Sequence, residues 1–287
     1  ERDGVRFPCS RKESSAIKEV HVNGTSVKAT LNKHPTLRNS FRLALVAMTL
    51  KSTPPKSLEL FSEPLQRNKK LALAAVDTNG DVLAHLPDEL KDDVQVVMTA
   101  VNSDTHDCVY YDPVISYASN RLRALKHVIM AAVERYGPAL EFASEELRAT
   151  IEVVMTAVTE DGDALKYASE GMRATREVVM AAINQYGPAL KYAAYALYTD
   201  ETVVMAAVRQ SGLALEIASY EQRASEKVVL AAVTKYGEAL RYASGDMCAN
   251  WKVVMAAVSQ CGLALKFAAN ELCRDETVVM AAVEQNG

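Results

Sequence analysis

The sequence has few of the features that build nucleotide sites or membrane spans. Aromatic residues make up 6% of its 287 positions, with one Trp and five Phe, so aliphatic side chains and alanine must fill the interior. No apolar run approaches the ~20 residues that a helix needs to cross a bilayer. The glycines form neither GxGxxG nor GxxxxGK(S/T), the loops that bind dinucleotides and nucleotide phosphates. The sequence therefore predicts neither a membrane span nor a nucleotide site.

Cysteine and histidine are also scarce and scattered. The five cysteines are odd in number and contain no CxxC pair, and the five histidines all lie in the first half of the chain, outside any recognisable catalytic motif. This pattern favours reduced thiols in an intracellular compartment, such as a plastid or another organelle, over a disulfide framework. We expect no enzymatic activity and no cofactor. The cysteines are Cys9, Cys108, Cys248, Cys261 and Cys273.

One loop combines several potential metal ligands. It is an insertion over residues 102–112, and its carboxylates, histidine and thiol fit neither a zinc pattern nor a calcium loop. We therefore expect a solvated loop without a metal. The alternative for this segment is contact with a partner protein through Tyr110 and Tyr111. The ligands considered are Asp104, His106, Asp107, Cys108 and Asp112.

A hexapeptide of the type Val-Val-Met-Ala-Ala-Val recurs every 25 residues through most of the chain. Six copies stand in strict register, and each is followed nine residues later by a glycine. A fixed period of this size predicts a solenoid, in which each small unit stacks on the next. The six copies begin at Val153, Val178, Val203, Val228, Val253 and Val278.

Each hexapeptide is predicted to lie in the first of two helices of a repeat. Three residues before it stands a residue whose side-chain oxygen can accept from the free N–H groups of a helix start. The glycine suits the left-handed conformation that ends many helices. A shorter amphipathic second helix, with some 3₁₀ character, is predicted after it. The predicted caps are Thr150, Thr175, Asp200, Ser225, Asn250 and Asp275.

The methionines of the hexapeptides are expected to pack in the core, because Met, Val and Ala surround the middle turns of the first helix. An adaptable binding stripe is the alternative. Three tyrosines stand directly before the glycine in every second repeat, at the turn between the helices. These residues, Tyr136, Tyr186 and Tyr236, are candidate partner contacts.

Weaker copies of the hexapeptide extend the array towards the N terminus. We therefore expect an all-α fold, an α-solenoid (superhelix) of about ten 25-residue two-helix repeats over residues 40–287, preceded by a basic and partly irregular segment over residues 1–39. First helices are expected to start near residues 40, 68, 93, 126, 150, 175, 200, 225, 250 and 275.

The period and the pattern V-V-M-A-A-V followed by G-x-A-L-K-Y-A-S-E-E-L-R resemble the repeats of the domain-of-unknown-function-4116 family. The resemblance covers roughly residues 40–287. Members of this family occur chiefly in protists, dinoflagellate algae and some intracellular bacteria. The resemblance implies a helical repeat protein, and it brings no catalytic residue, cofactor or substrate.

The charge distribution differs between the two ends of the chain. Residues 1–70 hold 14 Lys/Arg and 6 Asp/Glu, whereas the remainder holds 18 Lys/Arg and 30 Asp/Glu. The acidic array opposes binding to phosphates. Binding of nucleic acid or of another anionic surface is therefore an alternative function only for the basic N-terminal part of the chain, residues 1–70. Its candidate contacts are Arg38, Arg42, Lys69 and Lys70.

The repeats favour a non-catalytic scaffold subunit that binds other proteins through an extended helical surface. In the last repeat, Gly287 directly follows the first of the two helices. We therefore expect another subunit or further residues to cover the last apolar layer. The chain is accordingly expected inside a larger assembly. Because the family resembled here is abundant in algae with unusual plastids, that assembly is expected to be organellar or photosynthetic.

Overall fold

A computed structural model describes residues 11–21, 26–50, 54–103 and 113–286, and within these ranges the regular structure is helical, without a β-strand. The fold is an all-α repeat solenoid, which confirms the predicted class. Its contacts form two compact units, Glu1–Ala132 and Val133–Gly287.

The hexapeptides lie in α-helices of mostly ten residues, and each of these first helices begins close to its predicted start. Their bounds are Phe41–Met48, Lys69–Thr78, Val94–Asn102, Lys126–Arg135, Ile151–Glu160, Arg176–Gln185, Glu201–Gln210, Glu226–Lys235, Trp251–Gln260 and Glu276–Asn286.

The second helix of the repeat is divided into two elements. A 3₁₀ helix follows the first helix, in agreement with the predicted 3₁₀ character, and a four-residue α-helix comes after it. The 3₁₀ helices are Pro55–Leu60, Gly80–His85, Val114–Tyr117, Gly137–Phe142, Gly162–Tyr167, Gly187–Tyr192, Gly212–Glu216, Gly237–Tyr242 and Gly262–Phe267. The short helices are Glu63–Gln66, Asp88–Lys91, Asn120–Arg123, Glu145–Arg148, Glu170–Arg173, Tyr195–Tyr198, Tyr220–Arg223 and Gly245–Cys248, with a 3₁₀ turn Leu272–Arg274 in the last repeat.

The division of the second helix has a local cause that the sequence analysis missed. In five repeats a serine stands in extended conformation between the 3₁₀ helix and the short helix. Its hydroxyl accepts a hydrogen bond from the backbone N–H three residues later, so it ends one element and caps the next. The five serines are Ser119, Ser144, Ser169, Ser219 and Ser244.

In the first unit, the described N-terminal residues are mainly helical. The helix Arg11–His21 packs on Phe41–Met48, and Val27–Lys33 and the 3₁₀ helix Pro35–Asn39 follow it. The first helices then pack in order, from Phe41–Met48 to Lys69–Thr78 to Val94–Asn102. The helical packing of this unit therefore includes described residues of the 1–39 segment.

In the second unit, the first helices form one layer and the 3₁₀ helices form another. The helix Arg176–Gln185, for example, contacts the 3₁₀ helix of its own repeat and that of the preceding repeat. Its Val178, Val179, Ala182 and Ile183 are fully buried between the layers. Burying a Val or Ile side chain contributes about 1.5–3 kcal/mol. The apolar face of each repeat is therefore covered partly by its neighbours.

The methionines of the hexapeptides do not belong to this core in general, which corrects the prediction. The buried positions are the first, second, fifth and sixth of the hexapeptide, so the third and fourth positions point away from the second layer. Among the methionines at the third position, only Met205 is buried, and Met280 is 52% exposed. The half-buried ones are Met98, Met130, Met155, Met180 and Met255.

The predicted helix caps are correct in backbone position but only partly in hydrogen bonding. Asp200, Asn250 and Asp275 accept from backbone N–H groups of the first turn. Thr150, Thr175 and Ser225 have the extended backbone of a cap, but their side chains accept no such bond. The threonine hydroxyls donate instead to carbonyls four residues earlier, those of Glu146 and Gly171, so they bond to the preceding short helix.

The glycines end the first helices for a different reason from the one predicted. None of those that contact the next repeat has the positive φ of a left-handed residue. Each instead opens a 3₁₀ helix and lies directly against the next repeat. A Cβ on Gly137 would stand 2.5 Å from the carbonyl oxygen of Ala157, and one on Gly212 would stand 2.5 Å from that of Ala232. The turn requires glycine because neighbouring backbones approach too closely for any side chain.

Glutamine side chains join consecutive repeats at this same turn. The Gln210 carboxamide accepts from the N–H of Gly187 at 2.7 Å and donates to the carbonyl of Gln185 at 3.2 Å. Gln185 makes the same two bonds, to Gly162 and to the carbonyl of Glu160. Each of these glutamines thus satisfies the carbonyl at one helix end and the N–H at the start of the next element, both in the preceding repeat.

Candidate functional site

The turns between the first helices and the 3₁₀ helices form a continuous edge of the second unit. The residue before each glycine lies on the glycine of the preceding repeat, because a Cβ on Gly162 would stand 3.1 Å from the backbone nitrogen of Tyr186. A Cβ on Gly237 would likewise stand 3.0 Å from the Cβ of Cys261. Side chains next to the glycines are therefore presented together, one repeat after another.

Four large apolar side chains on this edge are exposed to solvent. Tyr186 and Tyr236 precede their glycines and are 39% and 38% exposed, whereas Leu213 and Leu263 follow theirs and are 43% and 56% exposed. These four residues are called the turn row. Four consecutive repeats contribute one residue each, so the row is a regular apolar line on the second unit. Exposed apolar side chains that recur along one edge mark a candidate interaction site.

Charged side chains hold part of the turn row in place. The hydroxyl of Tyr236 donates to Oε2 of Glu238 at 3.2 Å, and Lys266 of the next repeat donates to Oε1 of the same carboxylate at 3.2 Å. The hydrogen bond to Glu238 raises the pKa of Tyr236, and burial raises it further. Tyr236 therefore stays protonated at neutral pH and keeps its hydroxyl as a donor.

A polar cluster replaces apolar residues at the turn before the row. Asp163 follows Gly162, accepts from Lys166 at 2.7 Å and from the Tyr192 hydroxyl at 3.0 Å, and lies 3.8 Å from Lys191. Burial raises the pKa of Asp163, but the hydrogen bonds from Lys166 and Tyr192 outweigh it, and the net pKa is lowered. The cluster is internally paired, so the apolar row begins at Tyr186.

The predicted tyrosine contacts have three different outcomes. Tyr186 and Tyr236 are exposed in the turn row. Tyr136 occupies the same position in its own repeat but is half-buried. Tyr110 and Tyr111 lie outside the described residues, as do the potential metal ligands between residues 104 and 112.

Sequence reasoning missed the two leucines of the turn row, although they stand at a fixed position after the glycine. Apart from Met280 and Val283 in the helix Glu276–Asn286, it also missed four exposed apolar residues on the second unit, among them Tyr195 and Tyr220, which are 70% and 66% exposed. The signal was available, because charged residues or proline occupy the equivalent positions in other repeats. The other two are Ile151 and Trp251.

The predicted basic contacts lie in the first unit and differ in how far they are neutralised. Arg38, Arg42 and Lys70 are exposed. Lys69 is paired, with its Nζ 2.7 Å from Oδ2 of Asp93. Burial raises the pKa of Asp93, but the hydrogen bond from Lys69 and those from backbone N–H groups outweigh this and lower it overall. Lys69 is thus part of an inter-repeat contact.

The described residues contain no group of histidine, cysteine and carboxylate side chains that could hold a metal ion. Cys248, Cys261 and Cys273 are free and half-buried. The thiols of Cys248 and Cys273 each donate at 3.4 Å to a carbonyl eight residues earlier, and burial raises the pKa of Cys248. Burial therefore disfavours the reactive thiolate of Cys248. No helix in the described ranges is both long and apolar enough to cross a membrane.

The sequence pattern of one family, described as Domain of unknown function (DUF4116), matches this chain repeatedly. The matched segments are residues 68–123, 126–173, 150–198, 175–223, 200–248, 225–272 and 250–287, which together make up well over half of the chain. The chain belongs to the DUF4116 family. Successive DUF4116 matches from residue 150 onward start 25 residues apart and overlap, so a complete match spans about two structural repeats. No curated protein and no solved structure matches the chain.

Proposed function

We propose that this DUF4116 protein is a non-catalytic scaffold subunit, which binds a partner protein through the turn row of its second unit. The observation that carries the proposal is the exposure of Tyr186, Leu213, Tyr236 and Leu263 in four consecutive repeats. Tyrosine is enriched among the residues that dominate binding energy at protein interfaces. A line of such side chains on a packed scaffold loses little conformational entropy when a partner binds.

The repeat architecture supports the same proposal. The turns that carry the row are fixed by backbone contacts at each glycine and by the glutamine bonds between repeats. The partner would thus meet side chains held on a rigid scaffold. We further propose that this partner is another subunit of a larger assembly, organellar or photosynthetic in character.

Site-specific photo-crosslinking of the full chain tests this proposal. A photoreactive amino acid at position 213 or 263 should crosslink a defined partner from the native extract, whereas one at Tyr195 should not. The quadruple change Tyr186→Ser, Leu213→Ser, Tyr236→Ser and Leu263→Ser should abolish recovery of that partner. The matched control, Tyr195→Ser with Tyr220→Ser, should retain it. Equal recovery by both variants would contradict the proposal.

Binding of an anionic surface by the first unit is a second candidate function. It is supported by Arg38, Arg42 and Lys70, exposed residues that form no ion pair with another described residue. Gel retardation with single-stranded RNA, and sedimentation with vesicles that contain an anionic lipid, test it over a range of salt concentrations. Binding that weakens with salt and is lost when these three residues become Glu would favour this function.

A further inference from the structure

The outward positions of the first helices form a second surface in the second unit. Two open grooves lie between neighbouring first helices there, with cavity volumes of about 420 and 380 Å³. Met155 and Thr156 line the first groove, and Leu230 and Ala231 occupy the equivalent positions in the second. Between them, Met180 and Ala181 are half-buried at the same repeat positions, and so is Ala206, whereas Met205 is buried. None of these residues belongs to the turn row.

The two grooves are flanked by charges of opposite sign. Glu134 and Glu160 line the first groove, whereas Arg209 and Lys235 line the second. Arg135, which follows Glu134 in the chain, is not among the lining residues. The grooves are separated by three repeats, so two carboxylates flank one end of this surface and two cations flank the other.

These four charged side chains have no ionic partner among the described residues. At the start of the same first helices the situation is different. Arg176 pairs with Asp200 at 2.7 Å, and Lys227 pairs with Glu201 at 2.6 Å. Ion pairs between repeats therefore neutralise these charges at the N-terminal ends of the first helices, whereas the four charges at the grooves remain available to a partner.

The repeat spacing matches an α-helix laid across the layer. Packed helices lie about 8–10 Å apart, and seven residues of an α-helix rise about 10.5 Å. One apolar side chain in every seven could therefore meet each successive repeat. The three repeats between the grooves correspond to roughly 25–30 Å, or about 17–20 residues of helix. Methionine side chains adapt readily to the apolar face of such a helix.

From this match we infer that the grooved surface of the second unit binds an amphipathic α-helix of a partner protein, with a basic block at one end and an acidic block at the other. The basic block lies over Glu134 and Glu160, and the acidic block lies over Arg209 and Lys235. The apolar face of the helix contacts Met155, Met180 and Leu230 and their neighbours. This surface is separate from the turn row, so the inference goes beyond the proposed function and can hold without it.

Four synthetic helical peptides of about 24 residues test the inference with the full chain. All share a leucine face with a seven-residue repeat, and they differ only in charge, which is arranged in opposite end blocks, alternating, uniformly acidic or uniformly basic. Fluorescence anisotropy at low and high salt measures their affinities. The block peptide should bind about tenfold more tightly than the alternating one at low salt, because several exposed pairs each contribute a few tenths to one kcal/mol. The difference should shrink at high salt.

Two charge variants should change which peptide binds most tightly. This result does not depend on the direction in which a peptide lies on the surface, because the uniformly charged peptides carry the same charge at both ends. Glu134→Lys with Glu160→Lys leaves only basic charges at the two grooves, so the uniformly acidic peptide should become the tightest ligand. Arg209→Glu with Lys235→Glu should instead favour the uniformly basic peptide. The matched control, Glu145→Lys with Glu170→Lys, introduces the same charge change on the short helices and should keep the preference of the native chain.

Circular dichroism establishes that the variants remain folded. As a control for the apolar contact, a block peptide with its leucines replaced by Gln should bind at least tenfold more weakly than the original. Equal affinity of the native chain for the block and alternating peptides would overturn the inference, as would the absence of binding to all four. Tighter binding of the uniformly basic peptide in every variant would also overturn it, because net charge alone would then explain the affinity. The quadruple serine variant of the turn row should bind all of these peptides with unchanged affinity.

Discussion

The two units differ in how regularly side chains form hydrogen bonds at the ends of their first helices. In the first unit, Ser40, Asn68 and Asp93 all cap their own helix with a side-chain oxygen. In the second unit, Asp200 and Asn250 do so as well, but Thr150, Thr175 and Ser225 do not. At the other helix end, Thr78 of the first unit donates to a carbonyl four residues earlier in the same helix.

The second unit places a longer side chain at the position equivalent to Thr78. Gln185 and Gln210 there reach the preceding repeat. A hydroxyl on Cβ can reach only its own helix, whereas a carboxamide two atoms further out can bridge to the next one. At this repeat position, the carboxamides of Gln185 and Gln210 stabilise the contact between repeats, whereas the hydroxyl of Thr78 stabilises a single helix.

The largest expected effect concerns the glycine contact, which both units share. Gly212→Ala places a Cβ against the backbone carbonyl of Ala232, so the repeats must separate, and we expect a loss of about 2–3 kcal/mol in the free energy of unfolding. Gly80→Ala in the first unit, where a Cβ would stand 2.6 Å from the Ala100 carbonyl oxygen, should cost a similar amount. Urea denaturation followed by circular dichroism measures both losses.

Gly245→Ala is the control for the glycine variants, because a Cβ there meets nothing within 4 Å. It lies in a short helix and should be neutral or stabilising by up to about 1 kcal/mol. If Gly212→Ala were as benign as Gly245→Ala, close approach between repeats would not be the reason for glycine at the turns.

The glutamine contacts are the feature that most separates the two units. Gln210→Ala leaves the N–H of Gly187 and the carbonyl of Gln185 without these partners, so we expect a loss of about 1–2 kcal/mol. Thr78→Val in the first unit removes only a bond within one helix and should cost less than about 0.5 kcal/mol. Hydrogen exchange at the Gly187 amide should accelerate in the Gln210 variant. Equal losses in the two variants would remove the distinction between the units.

Helix caps should give a smaller difference between the units, and here the variant of the first unit should lose more stability than the variant of the second. Asn68→Ala in the first unit removes a hydrogen bond to the N–H of Leu71 and should cost about 1 kcal/mol. Ser225→Ala in the second unit removes no cap bond, so its cost should stay below about 0.5 kcal/mol. Denaturation midpoints of the two variants check this difference, and a larger effect at Ser225 would mean that its hydroxyl caps the helix in solution.

A pH series should show the smallest difference, because both units carry the same kind of carboxylate. Asp200 accepts from Thr202 and from Arg176, and these hydrogen bonds lower its pKa. A carboxylate with a lowered pKa in the folded state contributes stability above its unfolded pKa, and this stability is lost as the pH falls through the folded value. The destabilisation caused by Asp200→Asn should therefore shrink as the pH falls from about 5 towards 2.

Asp93→Asn in the first unit is the matched change, because Asp93 pairs with Lys69 as Asp200 pairs with Arg176, across 24 residues in each case. Its pKa is also lowered, so its effect should decline over the same acidic range. Stability measured by urea titration at several pH values tests both variants. A destabilisation that stays constant with pH would show that neither carboxylate contributes through its charge.

Several features of this fold could be read from single residues. The hexapeptide period predicted the first helices, and Asp200, Asn250 and Asp275 were correctly predicted as caps. Gly137 and Gly212 were predicted at turns, but for a conformational reason that is wrong, since they are required by contact with another repeat. The methionines were placed in the core because composition shows how apolar a helix is but not which of its sides meets the second layer.

The candidate site was predictable only in part. Tyr186 and Tyr236 could be proposed from their place before the glycine, whereas Tyr136 at the same place is half-buried. Leu213 and Leu263 were missed, because the proline and charged residues at the same position of other repeats indicate an exposed turn only when the repeats are compared position by position. Exposure is a property of the surroundings, so residue type and spacing alone cannot determine it.

By itself, the sequence determined the repeat length, the helical class and the places where helices begin and turn, because these depend on local propensity, capping and periodicity. Only the tertiary structure decided which side of each first helix faces the second layer and which charges remain unpaired. It also decided why the turns need glycine. These properties depend on contacts between residues about 25 positions apart, whose geometry arises only when one repeat packs on the next.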